Sequence, residues 1–262
     1  MGLIESIGNM LDQRIKAYLQ RIGFESKPEL NFNTLHALQR AHLLSVPYEN
    51  LNILQSIPIS LDINNLYEKI VTRGRGGYCF ELNGLFAWLL RSLGFHVVEH
   101  MARFFRGKTV PMRCHRVLRV GFGLHEYLCD VGVGGMIPRK PLILSNGEGV
   151  TEQNGEHYKL EIGANEYVLC EWRRDNWRKV YSFTEEEHQD IDYIMPSYYC
   201  ENHPSSPFRK HEMVHIFTKD GRKSVAGREL RIFSNNHVKV LTPATDTAFK
   251  ELLYIHFGLE LQ

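Results

Sequence analysis

The chain has 262 residues, of which 43% are hydrophobic and 23% are charged, with a formal net charge of +1. This length and composition fit a globular protein of two or three subdomains with a sizeable apolar core. The charge balance leaves no broad basic face, which argues against nucleic acid as the main partner. No stretch approaches the roughly 18 apolar residues of a membrane span, so we expect no membrane partner either.

The cysteines indicate the compartment. They are odd in number and include no Cys-x-x-Cys pair, which argues against a disulfide scaffold. The start of the chain alternates polar and apolar residues too early for a secretory signal. We therefore expect a cytoplasmic protein with reduced thiols, one of which could be reactive. The five positions are Cys79, Cys114, Cys129, Cys170 and Cys200.

Apolar residues recur at helical spacing in residues 1–95. Two amphipathic patterns end at Gly23 and Pro47, and a third predicted helix runs from about Cys79 to Leu93, with Gly94 as its C-terminal cap. The apolar positions that share a face are Leu11, Ile15, Tyr18, Leu19 and Ile22 in the first helix, and Leu35, Leu38, Leu43 and Leu44 in the second.

The pattern changes to short alternating runs from 96 to 200, which predict the strands of a small sheet or barrel. Residues 201–262 mix strand patterns with a final helix. The chain order therefore predicts an α+β fold with a helical part at 1–95, a β part at 96–200 and a mixed α/β part at 201–262.

The strongest local feature is the segment Arg73–Asn83, which reads RGRGGYCFELN. A glycine-rich turn leads directly into a helix whose first turn contains Cys79. The unpaired N–H groups and the dipole at a helix start stabilise a thiolate there, so Cys79 is a candidate nucleophile. The same pattern also fits a small buried thiol, and the segment alone leaves both interpretations open.

A thiolate nucleophile requires an imidazole partner and a carboxylate that orients the imidazole. His115 lies in one strand pattern and Asp130 follows the next, with a turn at Gly121–Gly123 between them. This hairpin can bring His115 beside Asp130, although an isolated histidine in a strand is more often structural.

Several ordered blocks resemble the arylamine N-acetyltransferases, in their prokaryotic form. The most specific block is RGGYCFELNGLFAWLLRSLGF around Cys79. Before it come YLQRIGF and LHALQRAHLLSVPYENL, and after it come CHRVLRV, YLCDVGVGG, HPSSPF and FGLEL. The blocks cover most of the chain and keep the order of that family.

The resemblance implies a three-domain fold with a helical bundle, a β-barrel and an α/β lid, and a triad arranged as in papain-like enzymes. It implies Cys79 as nucleophile, His115 as base and Asp130 as orienting carboxylate. The implied reaction is ping-pong acetyl transfer from acetyl-CoA, through an acetyl-cysteine, to arylamines, arylhydrazines or N-hydroxyarylamines.

The resemblance also assigns contacts to the substrates. Gly134 and Gly135 match a glycine turn beside the pyrophosphate of coenzyme A, where bare backbone N–H groups can approach phosphate oxygens. Ser205 and Ser206, in HPSSPF, are further candidate cofactor contacts. An ordinary tight turn and an ordinary loop explain the same residues equally well.

The chain departs from the family pattern at Tyr48 and Val133, where phenylalanine is common. Both are predicted to line the acceptor pocket. Cys114 is also unusual, and alternation along a strand predicts that its side chain points away from that of His115 into the packed interior. Glu49 and Arg75 are predicted to form an ion pair that ties a loop to the catalytic turn.

The sequence leaves alternative functions open. One is an amide synthase of this fold with a carrier-bound acyl donor, and another is a papain-type amidase, which the absence of a CGSCW-like motif disfavours. A non-catalytic binding module is disfavoured because Cys79, His115 and Asp130 are all present. His96 and His100 match the HxxEH zinc pattern, but a strand separates them too far for one metal ion, so no metal is predicted.

Overall fold

The computed structural model describes residues 2–107, 109–135, 137–144, 149–153, 155–234 and 237–261, and side chains from residue 8 onward. Its helices are α1 (Gly2–Arg21), α2 (Phe32–Ser45), α3 (Leu51–Leu54), α4 (Ile63–Tyr67), α5 (Cys79–Ser92), α6 (Ile194–Asn202) and α7 (Asp246–Phe257), with a π-helical turn at Glu68–Thr72 and 3-10 turns at Asp190–Tyr193 and Pro207–Arg209. Its strands are β1 (Tyr48–Glu49), β2 (His96–Phe104), β3 (Arg113–Phe122), β4 (His125–Cys129), β5 (Leu142–Ile143), β6 (Thr151–Gln153), β7 (Glu156–Ile162), β8 (Tyr167–Arg173), β9 (Asn176–Phe183), β10 (Met213–Thr218), β11 (Gly221–Ala226), β12 (Glu229–Ser234) and β13 (His237–Leu241).

The helices of the first part pack around α5, which is apolar on nearly every face. It contacts α1 and α4 on one side and β2 and β3 on the other, so it lies between the helical part and the sheet. The predicted helices are confirmed, and Gly23 and Gly94 follow α1 and α5 with the positive φ angles of helix ends. Leu11 is predicted on the buried face and is 39% exposed, because the side chains at residues 8–13 of α1 all lie at the surface.

The β part is an antiparallel sheet with the strand order β5-β4-β3-β2-β9-β8-β7-β6, which curls into a nearly closed barrel. The β3–β4 hairpin pairs Leu118 with Cys129 and so brings the start of β3 towards the residue that follows β4. The β2–β3 register shifts in the same region, because Ala102 pairs with His115 whereas Arg103 pairs with Arg113. Cys114 is therefore the extra residue of a β-bulge.

The last part of the chain forms a second antiparallel sheet, with the order β1-β10-β11-β12-β13, and α7 packs on it. Its edge strand β1 comes from the helical part, where Tyr48 pairs with His215. The fold is the predicted α+β arrangement of helices, barrel and α/β unit. Of the predicted domain limits, 95–96 falls between α5 and β2, whereas 200–201 falls within α6. Among the helices of the described residues, none is both long and apolar enough to cross a membrane.

Candidate active site

Cys79 occupies the first position of α5, directly after the glycine turn. The turn passes so close to the segment before β1 that a Cβ on Gly76 would lie 2.0 Å from the carbonyl oxygen of Pro47. A Cβ on Gly77 would lie 2.9 Å from the Cβ of Glu81. Side chains are thus sterically excluded at both positions, and the two glycines allow Cys79 to start the helix where its dipole favours a thiolate.

His115 and Asp130 meet as the predicted hairpin requires. The Nε2 of His115 lies 2.8 Å from Oδ2 of Asp130, and both side chains are buried. His115 also interacts with the side chain of Cys79, whose thiol donates to the carbonyl of Cys114 at 3.7 Å. Because Nε2 faces Asp130, Nδ1 is the ring nitrogen that is left to interact with the sulfur of Cys79. The structure therefore brings the three predicted residues together in the order thiol, imidazole, carboxylate.

The electrostatics of this group favour a protonated imidazole. Burial lowers the pKa of His115, but the charge and hydrogen bond of Asp130 and the interaction with Cys79 outweigh burial and raise that pKa to about 10. A positively charged imidazole beside a cysteine stabilises the thiolate form, which is the reactive form of a cysteine nucleophile.

Asn83 and Gly132 hold the carboxylate in place. Oδ1 of Asp130 accepts hydrogen bonds from Nδ2 of Asn83 and from the N–H of Gly132, both at 2.8 Å. Asn83 also donates to the carbonyl of Arg116 and accepts from the N–H of Val131. A Cβ on Gly132 would lie 2.8 Å from Cα of Cys79, so the loop after β4 packs directly against the backbone of Cys79.

The triad opens on a cavity of about 380 Å³ between the barrel and the second sheet. Cys79 and His115 line it, together with the predicted Tyr48, Val133 and Gly134. Burial, and next the charge of Cys79, raise the pKa of Tyr48. A larger groove of about 810 Å³ near α5 and α6 has no triad residue in its wall. Other residues lining the smaller cavity are Phe104, Arg106, Phe208, His211, Met213 and His215.

Cys114 also lines this cavity, and it is partly buried and packs against the hydrophobic core. The bulge at Cys114 interrupts the regular alternation along β3 that the sequence analysis assumed. The direction of its side chain relative to that of His115 stays a prediction.

The four predicted cofactor contacts have different positions relative to the cavity. Gly134 lines the cavity, and Gly135 follows it with a φ of +92°, a value that favours glycine. Ser206 is completely buried, and its hydroxyl donates to the carbonyl of Cys200 and accepts from the N–H of Phe208. Its side chain therefore caps a 3-10 turn, and neither it nor the exposed Ser205 lines the cavity.

Comparison with known proteins decides the family. The family described as N-acetyltransferase matches residues 31–262. The arylamine N-acetyltransferase of Mycolicibacterium smegmatis is 34% identical over 251 residues, which are 93% of this chain and 91% of the relative. The chain belongs to the arylamine N-acetyltransferase family. It is accordingly an acyltransferase.

Solved structures of arylamine N-acetyltransferases have the same fold. The Salmonella typhimurium enzyme superimposes with a TM-score of 0.90 at 29% identity, covering 94% of this chain and 91% of that one. The Mycobacterium marinum enzyme in complex with CoA gives a TM-score of 0.86 at 31% identity, covering 93% and 92%.

In this member of the arylamine N-acetyltransferases, an ion pair fixes the catalytic turn. Nη2 of Arg75 donates to Oε1 of Glu49 at 2.8 Å, as the sequence predicted, and to Oδ1 of Asn52 at 3.0 Å. The N–H of Glu49 donates to the carbonyl of Gly77. The pair thus joins the loop at β1 to the turn that carries Cys79.

Sequence reasoning assigned no role to Asn83 or to the aromatic rings beside the imidazole. Asn83 lies four residues after Cys79, a spacing that puts both on one face of a helix, so a signal for it was present. The rings of Phe104 and Tyr181 lie 5.6 and 5.2 Å from that of His115. They come from β2 and β9, and no local pattern links those strands to His115.

Metal ligands do not cluster in the part of the chain that the structure describes. His96 and His100 lie on β2, as the sequence predicted, in an extended segment. Between them, Glu99 pairs with Arg91 and Arg116.

Proposed function

We propose that the protein transfers an acetyl group from acetyl-CoA to an aromatic amine through an acetyl-Cys79 intermediate. The observation that carries this proposal is the placement of Cys79, His115 and Asp130 together beside one small cavity. The CoA complex of the Mycobacterium marinum relative supports the donor, because that protein shares the fold over most of both chains.

In the first half-reaction the Cys79 thiolate attacks the thioester carbonyl. The bond to the CoA sulfur breaks, and His115 supplies the proton to the leaving thiolate. Gly134 is proposed to present its backbone N–H to the pyrophosphate, since the turn carries no side chain that would block its approach. The N–H of Gly135 donates to the carbonyl of Val133 at 3.2 Å, so the proposed part of Gly135 is to allow the close approach. The buried wall of the cavity limits hydrolysis of the acetyl-cysteine by water.

In the second half-reaction the acceptor nitrogen attacks the acetyl-cysteine, and neutral His115 takes its proton. Arylamines and arylhydrazines suit this step because they are uncharged near neutral pH. A relative from Salmonella typhimurium is named an N-hydroxyarylamine O-acetyltransferase as well, which supports N-hydroxyarylamines as acceptors. Tyr48 and Val133 line the cavity and are proposed to contact the aromatic ring.

Intact-protein mass after brief exposure to acetyl-CoA tests the proposal. We expect one acetyl adduct on the wild type, none on Cys79→Ala, and loss of the adduct when an anisidine is added. Cys170→Ala is the matched control, because Cys170 is a buried cysteine of β8 and lines no wall of the cavity. A folded wild-type protein that forms no adduct would contradict acetyl-CoA as the donor.

A further inference from the structure

Two cysteines outside the triad lie near each other beside the cavity. Cys114 sits on the bulge of β3, lines the cavity and is only partly buried. Cys200 lies in α6, which packs against β3, and it is buried. The thiol of Cys114 donates to the carbonyl of Met112 at 3.5 Å, and it is close enough to that of Cys200 for the two to interact electrostatically. One accessible thiol and one buried thiol thus lie close together on two elements that are far apart in the chain.

The surroundings shift the pKa values of the two thiols in opposite directions. The interaction with Cys200 lowers the pKa of Cys114; burial opposes this, and the charges of His115, Arg106 and Arg103 add to the lowering, giving about 7. The interaction with Cys114, together with burial, raises the pKa of Cys200. A thiolate that is accessible and a protonated neighbour that is buried are the two partners that thiol–disulfide exchange requires.

We propose that Cys114 and Cys200 are a reversible dithiol–disulfide pair that low-molecular-weight disulfides oxidise through the acyl-transfer cavity. The Cys114 thiolate attacks one sulfur of the small disulfide, a mixed disulfide forms, and one thiolate leaves. Cys200 then loses its proton to solvent and attacks the sulfur of Cys114, and the second thiolate leaves. Two protein thiols and one small disulfide become one protein disulfide and two small thiols.

The new bond acts on the triad through the backbone. Its formation shortens the contact between the sulfurs to about 2.05 Å and draws the bulge towards α6. The carbonyl of Cys114 lies 3.7 Å from the sulfur of Cys79, and His115 is the next residue in the chain. Oxidation therefore displaces two groups that surround the nucleophile, and reduction restores them.

Peptide mapping without reduction, after treatment with hydroxyethyl disulfide, tests the pair independently of any activity. We expect a peptide containing Cys114 to be linked to one containing Cys200, in both the wild type and Cys79→Ala, and to be released by dithiothreitol. Cys200→Ser should stop at the mixed disulfide on Cys114. Cys170→Ser should still form the link, because that residue lies on β8 and is no part of the pair.

Three results would overturn the proposal: Cys114 holding only the mixed disulfide while Cys200 stays free, a bond between Cys114 and Cys79, or an unmodified Cys114. A second assay rests on the proposed function, since it uses acetyl-CoA to hold Cys79 as a thioester during oxidation. After removal of the oxidant, the wild type should transfer acetyl groups more slowly until dithiothreitol is added, whereas Cys114→Ser, which forms neither the mixed disulfide nor the bond to Cys200, should keep the rate that it had before oxidation. If oxidation changed the acetyl-transfer rates of the two proteins by the same factor, although the disulfide had been mapped in the wild type, the disulfide itself would stand. Only its effect on the triad would be contradicted.

Discussion

Asn83 is the residue on which the geometry around Asp130 depends most. Its amide is fully buried and forms three hydrogen bonds: it donates to the carboxylate of Asp130 and to the carbonyl of Arg116, and it accepts from the N–H of Val131. A buried polar group that loses its partner costs about 1–3 kcal/mol. Removing this amide thus affects both the stability of the fold and the orientation of the carboxylate.

For Asn83→Ala we expect the free energy of unfolding to fall by about 3 kcal/mol, because three buried groups lose a partner. We also expect slower acetylation of Cys79, since Asp130 loses a donor. Urea unfolding and the rate of adduct formation measure the two effects. Asn65→Ala is the control, because the amide of Asn65 is exposed and bonds only Ser60 on the surface. An unaltered acetylation rate in Asn83→Ala would show that Gly132 and His115 alone suffice to orient the carboxylate.

The raised pKa of His115 predicts a stability that depends on pH. In the unfolded chain an imidazole titrates near 6.5, whereas in the fold the pKa of His115 is about 10, so the folded state binds its proton more tightly. The resulting stabilisation is fully present below pH 6.5 and is lost as the pH rises towards 10.

Between these two values we expect the free energy of unfolding of the wild type to fall, relative to that of His115→Gln, by on the order of 4 kcal/mol. Chemical denaturation of both proteins at a series of pH values measures the difference. Parallel curves would mean that the imidazole is neutral in the folded enzyme and that Cys79 reacts without an imidazolium partner.

At these residues, sequence reasoning succeeded where the signal was local. The spacing of His115 and Asp130 predicted a hairpin, and the hairpin brings the two side chains together. The bulge at Cys114 was not predicted, because a bulge depends on how β2 pairs with β3, and one strand does not reveal that register.

Among the elements, the glycine turn before α5 depends on a strand that is only two residues long. β1 lies between Gly77 on one side and β10 on the other, and Glu49 reaches Arg75 from it. Glu49 is fully buried, so the loss of Arg75 would leave a carboxylate without its cation. Breaking a buried pair from one side is costly for this reason.

We therefore expect Arg75→Ala to lower the free energy of unfolding by about 3 kcal/mol and to slow acetylation of Cys79. Arg73→Ala is the matched control two residues away, because Arg73 is 68% exposed and its pair with Glu68 lies in solvent, where such pairs contribute about 0–1 kcal/mol. Thermal unfolding and adduct formation of the two variants provide the comparison. Equal melting temperatures for the two would contradict a structural role of the Glu49–Arg75 pair.

The elements that were predicted have strong periodicity, and those that were missed have none. α5 carries apolar residues throughout and a glycine at its end, and it was found almost to the residue. β11 reads GRKSVA and shows no apolar alternation, yet it pairs along its whole length with β10 and β12. Its conformation comes from its neighbours in the sheet, which overrides its weak local preference.

At the scale of the whole molecule, the second sheet is not an independent unit. Its edge strand β1 belongs to the helical part, and Leu51 of α3 lies in the small core formed beneath α7. The cavity lies where these parts meet, since its wall contains residues of β1, the start of α5, the barrel and β10. The relative position of the parts therefore sets the shape of the site.

Asn50 is the residue that joins the helical part to the start of the second sheet. Its buried Nδ2 donates to the carbonyls of Phe208 and His211 at 2.8 and 2.9 Å, and its Oδ1 accepts from the N–H of Met213. The side chain thus fixes the segment 208–213, which contributes three residues to the cavity wall.

For Asn50→Ala we expect a loss of about 3 kcal/mol in the free energy of unfolding, because three buried backbone groups lose their partner. We also expect faster proteolytic cleavage near the basic residues of the segment, Arg209 and Lys210, since the segment opens more often once these bonds are absent. Limited trypsin digestion, followed by mass spectrometry of the first fragments, measures this directly. Asn65→Ala again serves as the surface control. If Asn50→Ala were destabilised but cleaved there no faster than that control, the parts would open together, and the second sheet would be held by β1 and the small core more strongly than by Asn50.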